Sequence, residues 1–172
     1  MIKKIIHFCD TTQLKLKDLF SIFNKKLLFL CKLFKNKFMQ INHIEHIGIA
    51  VANLQESILY YENVLGLKCY AVEEVLEQKV KTAFFMVGQT KIELLESTDP
   101  EGPVGKFIAN KGQGVHHIAF AVDDVNKSLA EVAEKGVQLI DKQARNGAEG
   151  LKIGFLHPKS TMGVLTEFCA EK

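Results

Sequence analysis

The chain has 172 residues, 47% of them apolar and 24% charged. These are the proportions of an ordinary folded domain, and they exclude a disordered tail, a collagen and a disulfide scaffold. Four cysteines at 9, 31, 69 and 169 show no CxxC pairing and read as thiols of a reducing compartment, while the net charge of +2 conceals two opposite segments.

Residues 1–38 carry nine Lys against Asp10 and Asp18, a net of +7, and the remainder carries −5. All 12 Gly and all three Pro lie beyond this segment, so a compositional boundary falls just before Met39. Leu16, Leu19, Phe20, Phe23, Leu27, Leu30, Phe34 and Phe38 recur at helical spacing with Lys25, Lys32 and Lys35 between them, which predicts a basic amphipathic leader helix. Three readings of it stay open: upstream sequence ahead of a true start at Met39, a targeting segment, or a helical appendage lying on an anionic surface. The first and third leave the protein in the cytoplasm, and an organelle presequence would send it to the mitochondrial matrix. The run Leu27 to Cys31 is far short of the roughly 20 apolar residues of a membrane span, so no integral membrane association is expected.

Residues 39–172 repeat one module. His46-Ile-Gly-Ile-Ala-Val51 returns 71 residues later as His117-Ile-Ala-Phe-Ala-Val122. Each run leads to a helix start, Asn53 and Asp124, both strong N-caps. Apolar Leu54, Ile58, Tyr61 and Leu65 mark the first helix, and Val125, Leu129, Val132 and Ala133 the second; glycines 66 and 136 end them. Three β-like stretches follow in each copy, near 68–75, 80–87 and 90–96, then 137–143, 152–156 and 163–169. The expectation is an α+β fold of two tandem β-α-β-β-β modules, about 43–98 and 114–170. Their helices should lie outside two sheets, with a concave site between the sheets. Asp99-Pro-Glu-Gly-Pro103 and a short helix near Val104 to Lys111 read as the linker.

Strand parity puts His46 with Gly48 and Ala50, and His117 with Ala119 and Ala121, opposite the bulkier residues. Small residues around an imidazole suit a cavity better than a packed core. Glu93 and Glu167 occupy matching places in the last strand of each copy, amid apolar neighbours where an unpaired charge is costly. A lone strand His or Glu is ordinarily structural. The same pair in the same register twice points instead to a divalent ion held by His46, Glu93, His117 and Glu167. Parity sends His116 to the opposite face, as a structural residue, and His43 and His157 fall outside the repeat.

These modules and the His/Glu quartet resemble the vicinal oxygen chelate superfamily. Within it, Gly112 to Val122, Thr90 to Glu96, and Phe155-Leu-His-Pro-Lys-Ser160 followed by Gly163-Val-Leu-Thr-Glu167 resemble the methylmalonyl-CoA epimerase family. The resemblance spans about 39–172 and none of the leader. It implies an isomerase that interconverts the 2R and 2S epimers of methylmalonyl-CoA through a metal-stabilised enolate, and a homodimer. It implies His46, Glu93, His117 and Glu167 as ligands, cobalt as the ion (with manganese, nickel or zinc as alternatives), and Glu167 as ligand and catalytic base together. Thr82 stands where some members have a second acid–base Glu, and Glu77 is a nearby carboxylate without an assigned reach. Lys159 and Ser160 are candidate contacts to the coenzyme A ester. The alternatives are a glyoxalase-type lyase, which would ordinarily carry an Arg in the first strand, and a non-catalytic binding module, which has no need of the quartet. The acidic core shows no basic groove, which argues against nucleic acid.

Overall fold

The computed structural model describes residues 39–171, which belong to one unit spanning Met39–Lys172. The expected leader helix falls on residues 1–38, outside the described ones. In chain order the elements are β1 (Ile41–Val51), α1 (Leu54–Asn63), β2 (Cys69–Val75), β3 (Val80–Val87), β4 (Thr90–Ser97) and α2 (Pro103–Lys111). The second half follows with β5 (Gly114–Val122), α3 (Val125–Glu134), β6 (Arg145–Asn146), β7 (Lys152–Leu156) and β8 (Leu165–Ala170).

Both long helices begin where the sequence places their caps. The Asn53 side chain accepts from the Glu56 N–H at 3.0 Å, and Asp124 accepts from the Lys127 N–H at 3.0 Å. Such a cap contributes about 1 kcal/mol by satisfying an orphan donor. Gly66 and Gly136 follow the helices at φ of +68° and +84°, a backbone that a Cβ would strain.

The eight strands form one sheet in the order β2-β3-β4-β1-β5-β8-β7-β6. Each half pairs its first strand with its last in parallel, β1 with β4 and β5 with β8. The halves meet through antiparallel β1 and β5. The two expected sheets are therefore halves of one continuous sheet. On one face α1 packs Leu54 and Ile58 on Val51, Ala83, Phe85 and Leu94, and α3 packs Val125, Leu129 and Val132 on Leu156 and Phe168. A side chain as fully covered as Leu129 contributes about 1.5–3 kcal/mol by leaving water. The other face is concave. Val104 of α2 covers Ala50, Val80 and Leu95 at one part of it, and Ala119, Ile153, Phe155 and Cys169 form a second cluster.

One strand differs from expectation. Residues 137–143 make only an isolated bridge, Leu139 to Leu156. The Ile140 and Asp141 N–H groups both donate to the Phe155 carbonyl, and the Asp141 carboxylate accepts from the Phe155 N–H at 3.0 Å. A side chain thus takes the place of a ladder partner, and the outer strand shrinks to Arg145–Asn146.

Candidate metal centre

Strands β1, β4, β5 and β8 are the four central neighbours of the sheet, and each contributes one member of a polar quartet on the concave face. His46, Glu93, His117 and Glu167 are all buried, at 6%, 5%, 3% and 3% exposure. Burial of four ionisable groups in one place is costly unless they neutralise one another or hold a cation. His46 Nε2 lies 2.9 Å from His117 Nε2, 3.3 Å from Glu93 Oε2 and 3.8 Å from Glu167 Oε2. His117 Nε2 lies 3.5 Å from Glu93 Oε2 and 3.2 Å from Glu167 Oε2. The ligand atoms of His46, His117 and Glu167 all fall within 4.8 Å of one another. Two imidazoles and two carboxylates aimed at a common point are a donor set suited to a first-row divalent ion.

Gly48 explains why small residues surround the imidazoles. It sits opposite His117 in the β1–β5 register, and a Cβ there would stand 2.2 Å from the His117 Cε1 atom. The ring lies where that side chain would be. Ala119, opposite His46, is the corresponding residue of the other half.

The far nitrogens of the imidazoles are held by the preceding residue in each half. His46 Nδ1 hydrogen-bonds the Glu45 carboxylate, and His117 Nδ1 lies 3.0 Å from His116 Nδ1. Strict alternation would put Glu45 and His116 on the opposite face. The register shows why it fails. β1 carries one extra residue between the pairs Ile44↔Phe120 and His46↔Ala119, and β5 one between Gly48↔His117 and Ile49↔Val115. Those extra residues are Glu45 and His116, each in a β-bulge that re-aims its side chain. His116 also stacks edge-on against Phe107 of α2, ring centroids 4.9 Å apart. Its expected place on the opposite face is thus corrected, and the signal was its own position at offset 71 from Glu45.

The electrostatics of the halves differ. Burial opposes protonation of His46, but the Glu45 hydrogen bond and the charges of Glu93 and Glu167 prevail and raise its pKa to about 9. Burial and the neighbouring His117 charge lower His116 to about 4. Burial raises the Glu93 carboxyl above its ordinary range, against the pull of both imidazoles.

Sequence reasoning also missed Lys91 and Glu149. Lys91 is 8% exposed, pairs with Glu45 and Glu149, and lines the quartet's cavity beside Gln78 and Phe84. Thr82 is 1% exposed and offers only a weak 3.5 Å contact to the Glu73 carbonyl. Glu77 lines a larger apolar cavity of about 290 Å³ with His116, His117, Arg145 and Phe155. Lys159 and Ser160 lie apart from both cavities. The Lys159 N–H donates to His157 Nδ1 at 3.1 Å, and Ser160 Oγ accepts from the Gln138 N–H at 3.0 Å.

Residues 45–155 match the model of the glyoxalase/bleomycin resistance protein/dioxygenase superfamily. A methylmalonyl-CoA epimerase of Dictyostelium discoideum is 38% identical over 128 residues, 74% of this chain and 77% of that protein. The chain belongs to this superfamily, in its methylmalonyl-CoA epimerase branch. A Bacillus subtilis protein, YqjC, is 46% identical over 132 residues, 77% of this chain and 94% of its own length. A solved methylmalonyl-CoA epimerase in complex with methylmalonyl-CoA and an ammonium ion is 37% identical, with a TM-score of 0.75 over 77% of this chain and 96% of its own. The epimerase branch thus accounts for the whole described fold, and the repeat seen in the sequence is the repeat of its sheet.

Proposed function

We propose that this epimerase interconverts the 2R and 2S forms of methylmalonyl-CoA, and that His46, Glu93, His117 and Glu167 hold one divalent ion, cobalt in preference to manganese, nickel or zinc. The observation that carries the reading is the convergence of these four buried side chains in a chain whose relatives bear that name. Held there, such an ion would supply Lewis-acid stabilisation of the negative charge that proton removal leaves on the substrate, with no redox change.

The protein's own groups do the rest. Glu167 is the base that takes the C2 proton, because it is a carboxylate buried beside both imidazoles, which are taken up as ligands. Thr82 has no acid–base capacity, so the position used by some relatives is silent here. Glu93, the other buried carboxylate of the site, is the candidate for returning a proton on the other face. Glu45 and His116 orient the ligand imidazoles through their Nδ1 atoms. Val80, Leu95, Val104 and Phe155 line the cavity of about 290 Å³ for the thioester arm. Arg145, 5.4 Å above the Phe155 ring and paired with Asp141 at 3.2 Å, adds a fixed cation to its wall. We also assign the protein to the cytoplasm, in keeping with free Cys69 and Cys169, and to a homodimer, which sedimentation of the full chain tests.

The deciding experiment is deuterium exchange at C2 of methylmalonyl-CoA. The cobalt-loaded chain should exchange rapidly, a chelator should abolish exchange, and added cobalt should restore it. No exchange above the uncatalysed rate with any of the four ions would refute the reading.

A further inference from the structure

The larger cavity reaches the quartet only at His117, and the one that all four members line has a volume of only about 20 Å³. That is room for about one water molecule, whereas small-molecule sites run to roughly 300–1,000 Å³. Its cover is the turn Ala148–Gly150, and Ala148 and Glu149 both line it. Glu149 is a non-glycine residue at φ +51°, in the left-handed region where a side chain is strained. Three contacts hold it there, all to the first module. Its carboxylate pairs with Lys91 and accepts from the Tyr70 hydroxyl at 2.9 Å, and its N–H donates to Glu73 at 3.0 Å.

Lys91 belongs to the same face as the quartet. It lies two residues before Glu93 on β4 and opposite His46 in the β1–β4 register. Its other partner is Glu45, whose second oxygen holds His46. A buried ammonium that lost Glu149 would be left with Glu45 alone, a carboxylate it already shares with His46. The substrate class assigned above differs from an ordinary acyl thioester by one feature, the free carboxylate on C2.

We propose that Glu149 occupies the place of the substrate's carboxylate and that Lys91 exchanges one for the other when substrate enters. The inference rests on the epimerase reading and adds a specificity residue to it. Lys91 selects 2-carboxyacyl thioesters over simple acyl thioesters, and the same exchange releases the strained turn and opens the cavity. A turn closed by a carboxylate mimic excludes water until a ligand with the right charge displaces it.

The test measures binding of methylmalonyl-CoA (the equilibrated epimers) and propionyl-CoA to the cobalt-loaded full chain by calorimetry, alongside C2 exchange. Loss of a charge-assisted pair of this kind should weaken methylmalonyl-CoA binding relative to propionyl-CoA by at least about tenfold in Lys91→Met, since the turn it releases opens equally for both thioesters. Lys91→Arg should keep most of the discrimination, as a merely space-filling role would not require. Glu149→Gln leaves the buried lysine in place and should tighten both thioesters several-fold, because the closed turn no longer competes. Unchanged discrimination in Lys91→Met overturns the inference, as does a Glu149→Gln chain that binds both thioesters as the wild type does. If the wild-type chain exchanges no C2 proton, the epimerase reading fails and this inference with it. Exchange in the wild type with unaltered discrimination in Lys91→Met overturns the role of Lys91 alone.

Discussion

The two halves of the sheet supply the same His/Glu pair but steady its imidazole differently. In the first, His46 leans on a carboxylate, Glu45, which is itself anchored by buried Lys91. In the second, His117 leans on a neutral imidazole, His116, which is wedged against Phe107. Both supports are bulged residues at equivalent positions of the repeat. Duplication therefore preserved the backbone device and let the chemistry diverge. In the first half a carboxylate support helps raise His46 to about 9, and in the second the support is itself an imidazole, His116, lowered to about 4. One half can tune charge at the centre while the other fixes geometry.

The largest expected effect comes from removing the shared element of both halves. His46→Ala/His117→Ala should retain no ion after dialysis, as read by elemental analysis, and a fully occupied double variant would show that the quartet is not the site. Glu93→Gln, which keeps an oxygen donor, should weaken the ion less than His117→Ala alone. Next come the supports themselves. Glu45→Gln should cost about 10–100-fold in metal affinity, and His116→Gln less than about tenfold, because only the first removes a charge. Equal losses would erase the distinction between the halves.

Smaller still is the effect of pH. His46 is raised from 6.5 to about 9 in the metal-free chain, so its ion pairing contributes stability that is present below about pH 6.5 and lost as pH rises through 9. Binding an ion must displace that proton. Cobalt affinity should accordingly rise by about tenfold per pH unit between 6.5 and 9, then level off; a flat titration would mean that Glu45 does not hold His46 protonated. The smallest effect concerns the leader. Deleting residues 1–38 should leave the melting temperature and the C2 exchange of the remainder unchanged, because both halves of the repeat lie beyond it.

The first half was legible almost to the residue. Strands expected near 80–87 and 90–96 are found at Val80–Val87 and Thr90–Ser97, because alternation and turn residues there agree. The caps Asn53 and Asp124 were legible for the same reason: a short side chain before an apolar helical stripe has one cheap place to bond. The quartet was legible through the repeat, which no single strand could have supplied. Its supports were not. Parity assigns faces only while the register is regular, and a bulge at Glu45 or His116 reverses the assignment for one residue without leaving a compositional mark. Residues 137–143 read as a strand from their apolar content, but Asp141 turns its side chain onto the Phe155 backbone and ends the ladder. Lys91 and Glu149, distant in sequence, look like ordinary surface charges until the fold brings them together.

The central claim is that the quartet is a reaction centre with Glu167 as its base, and Glu167→Gln tests it most directly. Glutamine keeps the size and one oxygen but removes the charge that accepts a proton. The assay is deuterium exchange at C2 of methylmalonyl-CoA at saturating cobalt, which separates the loss of the base from any loss of the ion. General-base catalysis contributes about 10²–10⁴-fold, so exchange should fall by at least about 10². A fully metallated Glu167→Gln chain that exchanges the C2 proton near the wild-type rate would contradict the assignment and leave Glu167 a ligand only.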